Sequence, residues 1–232
     1  KFKEATLQAE AVFLQFKEAE LHAVGDTRLP SPTKPSEPKH SSPSPRTKTI
    51  SASKVNMTTT DVCDKFLKPI TSEKKQSYCE YLQERNSPDV GEASVFISHA
   101  WKYTFVEVVD ALEHHFSNEP DIFIWFDLFS NNQHKASSLP FGWWRDTFLN
   151  AIGKLERVVM VLSPWNNPIP FTRAWCLWEI YCAVKTGSKF EVAITPDQYA
   201  AFVEGITKRP EEFYQMLADI NVEKSEAWSA TD

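Results

Sequence analysis

The sequence predicts an α/β protein whose parallel sheet is covered by helices on both faces. Four short apolar runs, at 94–98, 122–126, 158–162 and 190–194, have the length and content of buried strands. They are continuously apolar rather than alternating, as strands covered on both faces are. Amphipathic segments of helical length stand between them, at 105–116, 142–152 and 173–185.

The bulk composition narrows the possibilities. The chain has 232 residues, 42% hydrophobic and 13% aromatic, enough for one substantial core with appended elements. Eight Trp and sixteen Phe supply buried area and flat stacking surfaces. A formal net charge of −6 gives no general nucleic-acid footprint. No run approaches the ~18 apolar residues of a membrane helix, and the charged start is unlike a signal peptide. Lys1 is not a natural start, so the sequence reads as a piece of a longer chain. Cys63, Cys79, Cys176 and Cys182 have no CxxC spacing. That argues against a zinc site and fits a reducing cytosol, so a cytoplasmic location is expected. The adjacent His114 and His115 cannot face one metal from a helix, and no metal is expected.

Residues 1–24 carry a duplication: Lys1-Phe2-Lys3-Glu4-Ala5 recurs with slight change as Gln15-Phe16-Lys17-Glu18-Ala19, two heptads on. Phe2, Ala5, Ala9, Val12, Phe16, Ala19 and Ala23 then share a and d positions. This predicts an amphipathic, coiled-coil-like helix that needs a partner helix or the domain surface. Residues 25–60 read as a disordered linker, with six prolines among Ser, Thr and Lys. Residues 61–91 read as a short helical lead-in, with Asp61 as candidate N-cap.

From residue 92 to 232 the strand–helix rhythm takes over. A polar loop is expected at 127–141 and another at 163–172, with Gly187 closing the helix at 173–185. Helices are expected at 196–202 and 209–217, and a fifth strand is hinted at 220–222. Ligands of parallel sheets sit beyond the carboxyl ends of the strands. Here those ends are Ser98-His99, Asp127 and Ser163-Pro164.

The third helix reads Arg173-Ala174-Trp175-Cys176-Leu177-Trp178-Glu179-Ile180-Tyr181-Cys182. Glu179 is a single carboxylate in an apolar and aromatic stretch. Burying it ionised and unpaired would cost several kcal/mol. Such a residue is kept wet, paired or used. Arg173 and Lys185 are its available partners on the helix.

Three boxes in this order resemble the Toll/interleukin-1 receptor (TIR) domain family. Val95-Phe96-Ile97-Ser98-His99 looks like its first box. Trp125-Phe126-Asp127 resembles its second strand and the Asp that follows. Val161-Leu162-Ser163-Pro164, then Trp175-Cys176-Leu177-Trp178-Glu179, resembles its third strand and its Trp-x-x-x-Glu helix. The resemblance covers residues 92–232 and implies a flavodoxin-like three-layer parallel sheet. The Ser-His-Ala-Trp of the first box marks an outlying branch. The chain departs from the pattern in its long loop after Asp127, its glycine delayed to Gly142, and His99-Ala100-Trp101-Lys102 where a basic residue usually stands.

Some members of that family cleave NAD; others are signalling adaptors that associate without chemistry. The resemblance implies Glu179 as the catalytic acid. It places Trp144, after Gly142, and Trp175, four residues before the acid, at the aromatic positions. It implies NAD as substrate, self-association or association with other TIR-like domains, and signalling of the innate-immune kind. Ser98, His99, Trp101 and Asp127, at the strand ends, are further candidate cofactor contacts. The blander readings make Trp144 and Trp175 core, His99 a hydrogen-bonded strand-end residue and Asp127 a loop cap. Trp178 points elsewhere on the helix and reads as core.

The chemistry suits so spare a site. Breaking the nicotinamide–ribose bond builds positive charge on the ribose, as in glycoside cleavage. Nicotinamide leaves as a neutral base, so one anion suffices. The products would be nicotinamide with ADP-ribose or a cyclic form. A non-catalytic adaptor that self-assembles is the rival reading, and a sensor that binds a nucleotide intact is a third.

Overall fold

A computed structural model describes residues 57–226. The helix expected at 1–24 and nearly all of the linker lie outside the described residues. The lead-in begins at Thr59, inside the expected linker, because Thr58 is the cap. Its hydroxyl accepts the Asp61 N–H, and the Asp61 carboxylate accepts the Thr58 N–H in return. Asp61 is therefore the third helical residue of a capping box, not the cap. The first helical segment, α1, runs through Thr59–Val62, a π turn Cys63–Leu67 and Lys68–Ile70. A second capping box, Ser77 with Glu80, opens α2 (Tyr78–Gln83).

Four parallel strands follow: β1 (Val95–Ser98), β2 (Ile124–Phe126), β3 (Arg157–Val161) and β4 (Lys189–Ala193), in the order β2-β1-β3-β4. Ile97 pairs with Phe126 on one side and Val159 on the other, so β1 and β3 form the centre. Helices cover the sheet on both faces, as the apolar runs predict. Val95, Ile97, Val159 and Val161 face a layer made by α3 (Phe105–His115), α1 and Tyr78 of α2. Phe96 and Val158 face the other layer, made by α5 (Phe141–Leu155) and α6 (Ala174–Thr186). Phe96 is fully buried and stacks on Trp125 at 4.5 Å; truncation to Ala would cost about 3–5 kcal/mol.

The expected loop at 127–141 contains a short helix, α4 (Asp127–Ser130), and a 3₁₀ turn, Ala136–Ser138. Gly187 ends α6 at φ +70°, the left-handed cap that glycine adopts without strain. Two helices, α7 (Pro196–Lys208) and α8 (Pro210–Ala218), follow β4. Gly205 of α7 lies under Trp165, where a Cβ would come within 2.2 Å of the indole. The hinted fifth strand is absent: Val222–Lys224 is a 3₁₀ turn capped by the Asn221 side chain. An Asn that bonds its own backbone three residues on favours a turn over a strand. With no strand beyond it among the described residues, β4 is an edge, and Phe190 and Val192 are about two-fifths exposed. No helix among the described residues is long and apolar enough to cross a membrane.

Candidate active site at the carboxyl ends of the strands

The parallel sheet delivers Ser98 and Asp127 to the same end of the molecule, because β1 and β2 both finish there. Helix α6 lies against the layer that contains Phe96. Its buried side carries Cys176, Glu179, Cys182 and Ala183. The carboxylate thus stands in the inward stripe of the helix, not on its wet side. The pairings available on the helix are not made: Arg173 reaches Glu226 at 2.8 Å, and Lys185 lies over the Tyr181 ring.

The Ser98 hydroxyl donates to Glu179 Oε2 at 2.5 Å. Glu179 is 8% exposed. Burial pushes its carboxyl up to about 8; the Ser98 bond pulls the other way, and the charge of Asp127 adds to the rise. The acid is therefore mostly neutral at pH 7. Asp127 is placed differently. Its Oδ2 accepts the Trp101 indole N–H at 2.7 Å, while its Oδ1 is buried and has no hydrogen-bond partner. Burial pushes Asp127 up to about 6, against the Trp101 bond and the Leu128 N–H. It is mostly charged at pH 7, the opposite of Glu179.

His99 completes the cluster. Its Nδ1 lies 3.8 Å from Asp127 Oδ1, its ring packs on Phe126 at 4.6 Å, and its Nε2 is buried without a partner. Burial holds the ring down near 3, so it is neutral and the contact with Asp127 is not an ion pair. The hydrogen-bonded strand-end reading of His99 describes its backbone better than its ring, since its carbonyl accepts the Cys176 thiol at 3.6 Å.

The two candidate tryptophans gather beside this cluster rather than inside it. Trp144 is buried against Phe148 at 5.6 Å and Trp143 at 4.8 Å, with its indole N–H unpaired. Trp175 packs on Phe141 and Phe148 at 5.2 and 5.5 Å. Trp175 stands one turn before Glu179, so the aromatic cluster and the acid share one side of α6. Trp178, expected as core, is half-buried against the layer that contains Phe96, with its ring stacked on Tyr181 at 5.0 Å and its N–H donating to the Arg145 carbonyl.

Ser98, Glu179, His99, Trp101 and Asp127 thus form one polar cluster, and Trp144 and Trp175 an aromatic one beside it. Two features escape a reading of the sequence. The Tyr103 hydroxyl donates to the Ser163 carbonyl at 2.5 Å and accepts the Ser163 N–H at 2.8 Å, tying the loops after β1 and β3 together. No local pattern announces a contact across 60 positions. The lead-in also bonds the Trp101 and Tyr103 carbonyls, which capping signals alone do not foretell.

A groove of about 660 Å³ lies elsewhere, lined by Thr104, Glu107, Asp110, Glu113, His114 and Asp197 between α3 and the start of α7. None of the candidate residues lines it. Among the described residues, no cluster of three His, Cys, Asp or Glu side chains is arranged to hold a metal ion. Comparison with known proteins gives no match: no family model, curated protein or solved structure is similar to this chain.

Proposed function

We propose that this chain is a TIR-like domain with a flavodoxin-like sheet, and that it cleaves the nicotinamide–ribose bond of NAD with Glu179 as the acting acid. One observation carries the reading: a carboxyl inside an aromatic helix is buried at the carboxyl ends of parallel strands, where Ser98 donates a hydrogen bond to it. A merely structural acid in that place would be paired with a base.

In the reaction the C–N bond breaks and its electron pair leaves with nicotinamide. The ribose is left as an oxocarbenium ion. Ionised Glu179 steadies that charge. Water then adds to the ribose and loses a proton, giving ADP-ribose; attack by the adenine instead gives the cyclic form. The approach of the cationic nicotinamide ring itself favours ionisation of Glu179. Ser98 orients the carboxylate. Trp144 and Trp175 offer stacking surfaces worth about 1–3 kcal/mol per base. Self-association raises activity in this reading, so turnover per molecule grows as the protein is concentrated.

A specific observation favours the rival, a self-assembling adaptor without chemistry. Tyr181 and Val184 of α6 and Phe190 and Val192 of the edge strand leave much apolar surface exposed, which marks association surfaces. Incubation of the concentrated protein with NAD, with products separated by chromatography, decides between them. The enzyme yields nicotinamide and ADP-ribose or its cyclic form. An adaptor sediments as an oligomer and leaves NAD intact.

A further inference from the structure

A nucleotide cannot reach a carboxyl that is 8% exposed unless part of the surface moves. Two loops carry the polar residues around Glu179: residues 99–104 with His99 and Trp101, and residues 127–139 with Asp127. Both are fastened to the lead-in. The first is held by main chain. Thr59 N–H donates to the Tyr103 carbonyl at 3.1 Å, Phe105 N–H donates to the Met57 carbonyl at 2.7 Å, and Thr58 bridges Thr104.

The second loop is held by side chains. Asn132 Nδ2 donates to the Lys75 carbonyl at 2.7 Å. His134 Nε2 meets Thr71 Oγ1 at 2.8 Å; because the Thr71 hydroxyl donates to the Leu67 carbonyl at 2.7 Å, His134 is the donor. Lys75 takes φ +48°, a left-handed conformation that a non-glycine residue adopts at some cost. The strain sits at the residue whose carbonyl holds Asn132. Below these contacts, Tyr78 packs on Phe129 at 5.7 Å.

We infer that residues 57–83 are a strap that keeps the 127–139 loop, whose Asp127 closes the polar cluster beside Glu179, in its shut position, and that the Asn132–Lys75 and His134–Thr71 contacts are its latch. The inference rests on Glu179 being the working group. The two loops differ in how they let go. Main-chain pairing and the buried Val62, Cys63 and Leu67 anchor the strap to the body of the domain. The loop clings to it by side chains alone: Phe129 and Ser130 rest on Tyr78 and Cys79 near its start, while beyond them only the half-exposed Asn132 and His134 contacts hold it, and that part opens first. The strap continues directly into the chain before Met57, whose carbonyl holds Phe105. A pull or an assembly event upstream therefore acts on the strap before anything else in the domain.

The double variant Asn132→Ala, His134→Ala in the full chain tests this. Neither residue touches the acid. The readout is the rate at which a thiol reagent modifies Cys176, located by mass spectrometry. Cys176 is buried beside His99, and Cys182, buried in the layer behind, is the internal control. Loss of two hydrogen bonds should speed Cys176 modification by about tenfold, leave Cys182 unchanged and raise NAD cleavage by a similar factor. His134→Ala alone, which keeps the Asn132–Lys75 bond, should give a smaller effect in the same direction. An unchanged Cys176 rate in a folded double variant overturns the strap, and so does equal acceleration of Cys182, which signals general loosening. Faster Cys176 modification without NAD cleavage in either protein supports the strap and sinks the enzymatic reading instead.

Discussion

Ser98 and Glu179, 81 positions apart, share a 2.5 Å hydrogen bond at the carboxyl end of the sheet. The serine ends the central strand and the glutamate stands inside a helix, so the bond ties the two layers at the place where ligands of parallel sheets bind. It also makes the acid's proton affinity an adjustable quantity, since a donor favours the ionised form that the chemistry needs.

With Glu179 pushed up to about 8, only the minority ionised form is ready at neutral pH. NAD cleavage measured as kcat/KM should rise with pH and level off above an inflection near 8. A profile flat from pH 6 to 9 would mean that a different group acts.

Stability should move the other way. The folded pKa of Glu179 is raised from 4.5 to about 8. The folded state therefore holds a proton that the unfolded state has lost. Stability is full below about pH 4.5 and falls as pH rises towards 8, by roughly 3 kcal/mol at pH 7. Glu179→Gln keeps the Ser98 bond and cannot ionise. It should raise Tm at pH 7 to 8, with the gain vanishing near pH 4. Equal Tm shifts at both ends of the range would contradict a buried acid.

Ser98→Ala removes the donor that offsets burial. The inflection in kcat/KM should move above 8, and activity at pH 7 should fall severalfold, with a stability loss of about 1 kcal/mol. An unmoved inflection would show that the serine does not set the acid.

Trp101→Phe deprives Asp127 Oδ2 of its indole donor at 2.7 Å. A buried carboxylate that loses a partner costs about 1–3 kcal/mol, so thermal unfolding should show a clear drop at pH 7. The drop should shrink below pH 5, where Asp127 is protonated in both proteins.

Trp144 separates stacking from packing. Its indole N–H has no partner, so Trp144→Phe removes area but no hydrogen bond and should leave Tm within a few degrees. If the ring stacks on the substrate, KM for NAD rises at least fivefold while kcat changes little. An unchanged KM makes Trp144 core alone.

The layered fold was legible because it rests on local signals. Continuous apolar runs such as Val158–Leu162 have few other homes, and Gly187 marks the helix end by its conformational freedom. The lead-in boundary was missed because Thr58 hides at the end of a Pro/Ser/Thr-rich stretch, where its partner Asp61 looked like the cap itself. The fifth strand was misread because Ile220 and Val222 suggest a strand, whereas the Asn221 side chain bonds its own backbone. In the site, the Glu179 anomaly and the strand-end positions of Ser98 and Asp127 could be read directly. The Ser98–Glu179 bond, the Trp101–Asp127 bond and the strap could not, since each joins residues that only the assembled layers bring together.

The most direct measurement follows NAD loss by the parent protein and by Glu179→Gln, side by side at pH 8.5 and high protein concentration, with circular dichroism confirming both folds. The parent should release nicotinamide and the variant, although more stable, should release none. Equal turnover in the two proteins, or none in the parent, contradicts a catalytic Glu179.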